Sequence, residues 1–321
     1  MKSNLRLFLF LALLEALWAP VNYMVVEAER GGCSPAGIGL IRWGGICLGV
    51  FLLLAIPKVR EWSRSKFPGI KDTLKCIAIG LLLTGPSHLM YYTALEHTET
   101  VEGTVFNATS PLWVALFAGW ILSEKVGPRR WSALSLGVVG AYIASVGFTW
   151  PQIHHGHLGW NLLYLGGALL ECLGGALLAR IIRTSSGVCA FAWETSGRVL
   201  AMILFPILLP AALPMRIAIT QGPVLSLGYL MIIAGLFTFV SWVILIESAP
   251  LSLMAVTIAL QTPIAAVLGH FYLHEVLDPT LFIGATIIFV SLLLSASEKI
   301  EPIRRRPSVV LGDSLRKEMP A

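Results

Sequence analysis

Long apolar runs separated by short polar clusters set the rhythm of this chain. Thr104 to Pro128 is one such run: about twenty apolar residues with Pro111 inside them, stopping on Glu124, Lys125 and Pro128. Val256 to Pro279 repeats the plan. In both stretches a small polar residue precedes the inner proline (Ser110-Pro111, Thr262-Pro263), and a glutamate stands four residues before a second proline (Glu124/Pro128, Glu275/Pro279). Runs of this length suit helices that cross a hydrocarbon core of roughly 30 Å. The pattern predicts ten spans, at 5–26, 35–56, 74–95, 103–123, 131–150, 158–179, 188–210, 224–247, 251–273 and 279–297.

The repeat extends through the whole set of spans. Ala12-Leu13-Leu14-Glu15 recurs as Ala168-Leu169-Leu170-Glu171, and Arg42 recurs as Arg198, both at an offset of 156 residues. An odd number of spans in each copy makes the halves enter the membrane from opposite sides. The expected fold class is therefore an all-α polytopic membrane protein, with ten transmembrane helices as two inverted five-helix repeats. The expected units are residues 1–150, residues 158–297 and a disordered polar tail over 298–321.

Composition agrees with this class and charge orients it. Of the 321 residues 56% are hydrophobic and 13% charged, against about a quarter charged in soluble domains. With the N-terminus inside, 19 of the 23 Lys and Arg residues fall in the segments expected on the cytoplasmic side. Basic residues in short loops set orientation, so both termini are expected in the cytoplasm, with the chain in the cytoplasmic membrane. The net charge of +5 then reflects topology and anionic lipid headgroups, and no nucleic-acid partner is expected. Glu15 interrupts the first apolar run and no small-x-small cleavage site follows, so that run reads as a retained span. The five cysteines show no CxxC spacing and form neither a disulfide framework nor a zinc site. His154-His155-Gly156-His157 lacks a neighbouring carboxylate or cysteine and reads as a solvated loop, so no metal and no cofactor are expected.

Arg42, Tyr92-Thr93-Ala94-Leu95, Ser110-Pro111, Glu124 and Leu136-Gly137-Val138-Val139-Gly140 together resemble the drug/metabolite transporter superfamily, in its ten-helix EamA-type permeases, across about residues 5–297. Glu124 stands further from its glycine, Gly137, than in many members, whereas Glu275 to Gly284 keeps the shorter spacing. The resemblance implies a secondary transporter that moves a small organic metabolite, such as an amino acid, with export as the expected direction and no enzymatic activity. A non-transporting sensor or structural protein of the same fold is the rival. A lipid-acting enzyme would need a clustered nucleophile and base, which the chain does not display.

Ionisable groups inside a bilayer are costly and face the protein interior or a wet cavity. At ~1.5 Å per residue, Glu15, Arg42, Glu171 and Arg198 all lie roughly 15–21 Å from the inner ends of their spans. Two readings stand side by side. In one, the arginines meet a substrate carboxylate and the glutamates an amine or a coupling proton. In the other, they are structural ion pairs. By depth, Glu15 and Arg198 match best. Glu15, Trp18 and Asn22 share one helix face. His88 follows a helix-breaking Gly85-Pro86, with Tyr92 one turn on. Asn107 and Gln261 place amides beside the two inner prolines. Glu124 and Glu275, at the membrane edges, read as structural corner posts.

Overall fold

The computed structural model describes residues 2–64, 67–97, 109–146, 148, 158–247, 249–273 and 279–296. Among these every regular element is helical. The first half comprises α1 (Lys2–Trp18), α2 (Val21–Arg30), α3 (Pro35–Ala55), α4 (Pro57–Arg64), α5 (Ile70–Ile79), α6 (Gly85–Leu95), α7 (Ser110–Leu122) and α8 (Pro128–Val146). The second comprises α9 (Leu158–Ile182), α10 (Gly187–Leu208), α11 (Gln221–Met231), α12 (Thr238–Ile246), α13 (Leu251–Ile258), α14 (Gln261–Leu273) and α15 (Thr280–Ala296). The expected tail over 298–321, Glu275 and the histidine-rich loop lie outside the described residues.

Among the described residues six helices are long and apolar enough to cross a membrane: Arg6–Arg30, Pro35–Ala55, Ile70–Leu95, Leu158–Ile182, Gly187–Leu208 and Gln221–Ile246. Three shorter apolar helices accompany them, at Ser110–Leu122, Leu251–Ala265 and Thr280–Ser295. The chain is thus a multi-pass membrane protein. Its outward-facing side chains fit that solvent, with Leu48, Leu52, Leu82, Trp120, Ile207 and Phe282 each more than half exposed.

Local chemistry explains where these helices start and break. Ser34 caps α3 by accepting from the Gly37 amide at 3.2 Å, with Pro35 in the first turn. Pro20 separates α1 from α2 because it has no amide hydrogen to extend the helix. Between α5 and α6 lies a π-helical turn, Gly80–Thr84, directly before Gly85-Pro86. A second π-helical turn, Ile232–Phe237, joins α11 to α12. Such turns re-aim the side chains that follow and recur at functional sites. Helix α7 ends where Ser123 adopts a left-handed φ of 55°.

Small residues let the backbones meet. A Cβ on Gly80 would stand 2.0 Å from the Glu194 carbonyl oxygen, and one on Gly197 would stand 2.1 Å from that of Ile77. The π turn and α10 therefore cross backbone to backbone, which brings the side chains of both helices to one depth. Gly140 and Gly284 make the equivalent crossing of α8 with α15. Elsewhere α3 packs on α10, α9 on α6 and α7, α2 on α11, and α13 on α7. The core centres on Trp43, Ile46, Phe191 and Met202.

Candidate functional site

A cavity of ≈ 210 Å³ opens among α2, α3, α6, α9, α10 and α12. Most of its wall is apolar or aromatic, including Trp18, Tyr164, Phe191, Phe239 and Trp242. Against that wall stand a few polar groups: Asn22, Arg42, His88, Tyr92, Glu171, Arg198 and Gln261. An apolar recess with a small set of convergent polar groups is the usual form of a small-molecule site.

Arg198 is the most heavily engaged of these groups. Its Nε donates to Glu194 Oε1 at 2.6 Å and its Nη2 to Glu171 Oε1 at 3.0 Å. Its guanidinium lies 4.0 Å from the centre of the Trp43 ring, a cation–π contact. Thr84, released at the end of the π turn, donates its hydroxyl to the same Glu194 oxygen. Ser87 Oγ lies 2.7 Å from Glu171 Oε2 and donates to it. His88 Nδ1 sits between the Thr84 carbonyl, at 2.9 Å, and Arg198 Nη1, at 3.1 Å. One ring nitrogen either donates to the carbonyl or accepts from the guanidinium, so the tautomer of His88 decides which contact is made.

Arg42 is arranged differently. Its Nη1 donates to the Tyr92 hydroxyl at 2.9 Å, and its guanidinium stands 5.5 Å from the centre of the Trp43 ring. Its Nε and Nη2 have no hydrogen-bond partner among the described residues, although the residue is only 1% exposed and lines the cavity. Glu15, fully buried, accepts from Thr257 Oγ1 at 3.2 Å and from Gln261 Nε2 at 2.5 Å. It thus meets α13 and α14 through neutral donors.

Of the residues singled out in the sequence, Trp18, Asn22, Arg42, His88, Tyr92, Glu171, Arg198 and Gln261 line this one cavity. Glu15 adjoins it through Gln261, and Asn107 lies outside the described residues. The pairing by depth of Glu15 with Arg198 is replaced by a different set of partners, because Arg198 bonds to Glu171 and Glu194. Glu194 itself was missed. The available signal was its position four residues before Arg198 in one helix, the spacing of an intrahelical ion pair. The place of Trp43 beside both arginines follows from tertiary packing.

Glu124 does a separate job at the end of α7. It accepts from the Leu251 and Ser252 amides at 2.9 and 3.0 Å and from Ser252 Oγ at 2.6 Å, and it pairs with Arg183. A carboxylate on the free amides of a helix N-terminus satisfies donors that the helix cannot. It therefore ties the end of α7 to the start of α13.

The EamA-like transporter family model matches residues 6–146. Across 92% of this chain and 99% of the relative, the sequence is 22% identical to an uncharacterized transporter of Archaeoglobus fulgidus. A crystal structure at 15% identity superposes with a TM-score of 0.71 over 91% of this chain and 97% of the other, a likeness of fold alone. Residues 6–146, somewhat less than half of the chain, are thus similar to the EamA-like transporter family.

Proposed function

We propose that this transporter is a secondary carrier for a small organic solute bearing a carboxylate, an amino acid or a close relative, and that Arg42 receives that carboxylate. The observation that carries the reading is that Arg42 lines a largely apolar cavity while its Nε and Nη2 have no hydrogen-bond partner among the described residues. A guanidinium presents paired donors that match a carboxylate in geometry and charge. Glu171 lies across the same cavity and suits an ammonium. Glu15, Glu171 and Glu194 outnumber Arg42 and Arg198 by one formal charge, which a coupled proton or the substrate ammonium would balance.

The proposed architecture is ten spans in two inverted repeats, 1–150 and 158–297, with both termini and the 298–321 tail in the cytoplasm. Its support is the ordered recurrence of features: a buried arginine at Arg42 and Arg198, and a π turn at 80–84 and 232–237. Alternating access follows if the halves rock about the cavity that both of them line. Export across the cytoplasmic membrane is the proposed direction.

The full-length protein in phosphatidylcholine–phosphatidylglycerol vesicles tests this by counterflow. Vesicles preloaded with a mixture of unlabelled amino acids are expected to take up at least one labelled amino acid, and to ignore its carboxamide analogue. Uptake of none of them, with or without a pH gradient, would leave the sensor or structural reading of the fold in possession.

A further inference from the structure

A second recess lies on the outside of the bundle and shares no lining residue with the central cavity. It has a volume of ≈ 1110 Å³ and runs between α5 with its π turn, the end of α7 and the last turns of α9. Helix α9 forms its floor, packing on both α5 and α7. The recess is open because α7 stops at Leu122 and Ser123 turns the chain aside.

Its two ends differ chemically. Ile79, Leu82, Leu83, Leu177 and Ile181 form its apolar part, and Leu82 is 63% exposed. Lys75, Arg180 and Arg183 stand at the rim with a single acid, Asp72. Arg183 is committed to Glu124. Lys75 bonds to Asp72 at 2.8 Å, but both side chains are largely exposed, at 65% and 37%, and exposed pairs of this kind are weak. Arg180, exposed in the last turn of α9, makes no ion pair among the described residues. From Lys75 to Leu83 the helix rises about 12 Å, within the ~15 Å of one leaflet's share of the hydrocarbon core.

We propose that this recess is a binding site for an anionic phospholipid, with the headgroup phosphate on Lys75 and Arg180 and an acyl chain along Leu82, Leu83 and Leu177. Net positive charge at the rim selects the phosphodiester anion, and the apolar part selects a lipid over a free anion. Basic recesses between spanning helices have this function in general. The site is independent of the carrier reading and needs only that the helices cross a bilayer.

Native mass spectrometry of the detergent-purified full-length protein, offered equal amounts of phosphatidylglycerol and phosphatidylcholine, tests the assignment. At about fivefold per cation, the preference for phosphatidylglycerol is expected to be roughly thirtyfold. The double variant K75Q/R180Q is expected to bind both lipids equally, with its elution volume and thermal midpoint unchanged, since both residues are on the surface. Millimolar inorganic phosphate is expected to leave the bound lipid in place. Equal retention of the two lipids by the unaltered protein, an unchanged preference in K75Q/R180Q, or release of the lipid by inorganic phosphate would each overturn the proposal.

Discussion

Arg42 and Arg198 stand 156 residues apart, each near the middle of a long helix, each almost fully buried and each beside Trp43. Their surroundings are unlike. Arg198 meets two carboxylates, Glu171 and Glu194, and those carboxylates are themselves held by Ser87 and Thr84. Arg42 has one neutral partner, the Tyr92 hydroxyl, and two buried donor nitrogens with no hydrogen-bond partner among the described residues. Two arginines that recur in the sequence thus sit in different chemical surroundings. One arginine completes a buried network that joins α6, α9 and α10. The other keeps binding capacity in hand. A guanidinium already saturated by carboxylates has little left for a ligand, so the proposed receptor rests on the unfilled donors of Arg42 and not on charge alone.

The largest effect expected from this contrast is on folding. Arg198→Gln leaves Glu171 and Glu194 facing each other without their cation, and removing one member of a buried ion-pair network costs about 3–5 kcal/mol. A comparable loss of stability is expected in denaturant titrations of the purified protein. The triple variant Glu171→Gln, Glu194→Gln, Arg198→Met, which removes the charges together, is expected to recover most of it. Equal destabilisation by Arg42→Gln would erase the contrast.

The second prediction reverses the readout. Arg42→Gln loses a single hydrogen bond to Tyr92, so its stability is expected to stay within about 1 kcal/mol of the unaltered protein. Uptake of a carboxylate solute is expected to fall roughly tenfold to a hundredfold, the worth of a hydrogen bond to a charged group at about 1.5–3 kcal/mol. Retained affinity in this variant would move the receptor elsewhere in the cavity.

Much of this frame was legible beforehand, because burial in a bilayer is written into apolar runs of a fixed length. Arg42, Glu171 and Arg198 could be found the same way, since a charge inside such a run is conspicuous. Their partners were harder to find. Glu171 stands in sequence among the small residues Gly167, Gly174 and Gly175, and only the crossing at Gly80 and Gly197 brings the π turn, and with it Thr84, against α10. Depth along a helix says nothing about rotation around it, which is why Glu15 and Arg198 looked like partners. Glu15 instead turns toward Thr257 and Gln261. The π turns were hidden for another reason: one precedes a Gly-Pro pair but the other has no proline, so no residue type marks both.

A smaller effect should follow from Tyr92→Phe. Among the described residues, the Tyr92 hydroxyl is the one group that fixes the Arg42 guanidinium by a hydrogen bond. Without it the donor pair is less well aimed, but its charge remains. The expected result is a KM for the carboxylate solute raised about threefold to tenfold, with the maximal rate little changed, consistent with the loss of one hydrogen bond worth about 0.5–1.5 kcal/mol. A fall in the maximal rate alone would instead make Tyr92 part of the moving machinery and weaken its assignment to Arg42.

The mildest change in structure tests the charge that neither arginine offsets directly. Glu15→Gln keeps the shape of the side chain and one carbonyl oxygen able to accept from Thr257 or Gln261, so stability is expected to change by less than about 1 kcal/mol. What it removes is a proton-binding site in a layer shielded from water. If Glu15 carries the coupled proton, exchange of substrate for substrate across the vesicle membrane should persist in Glu15→Gln, while uptake driven by a pH gradient disappears. If exchange and gradient-driven uptake fall together, Glu15 is needed to hold α13 and α14 in place, and the proton must be sought at Glu171 or Glu194. Loss of gradient-driven uptake alone would divide the layer into three parts: Arg42 for the substrate anion, Arg198 for the architecture and Glu15 for the driving ion.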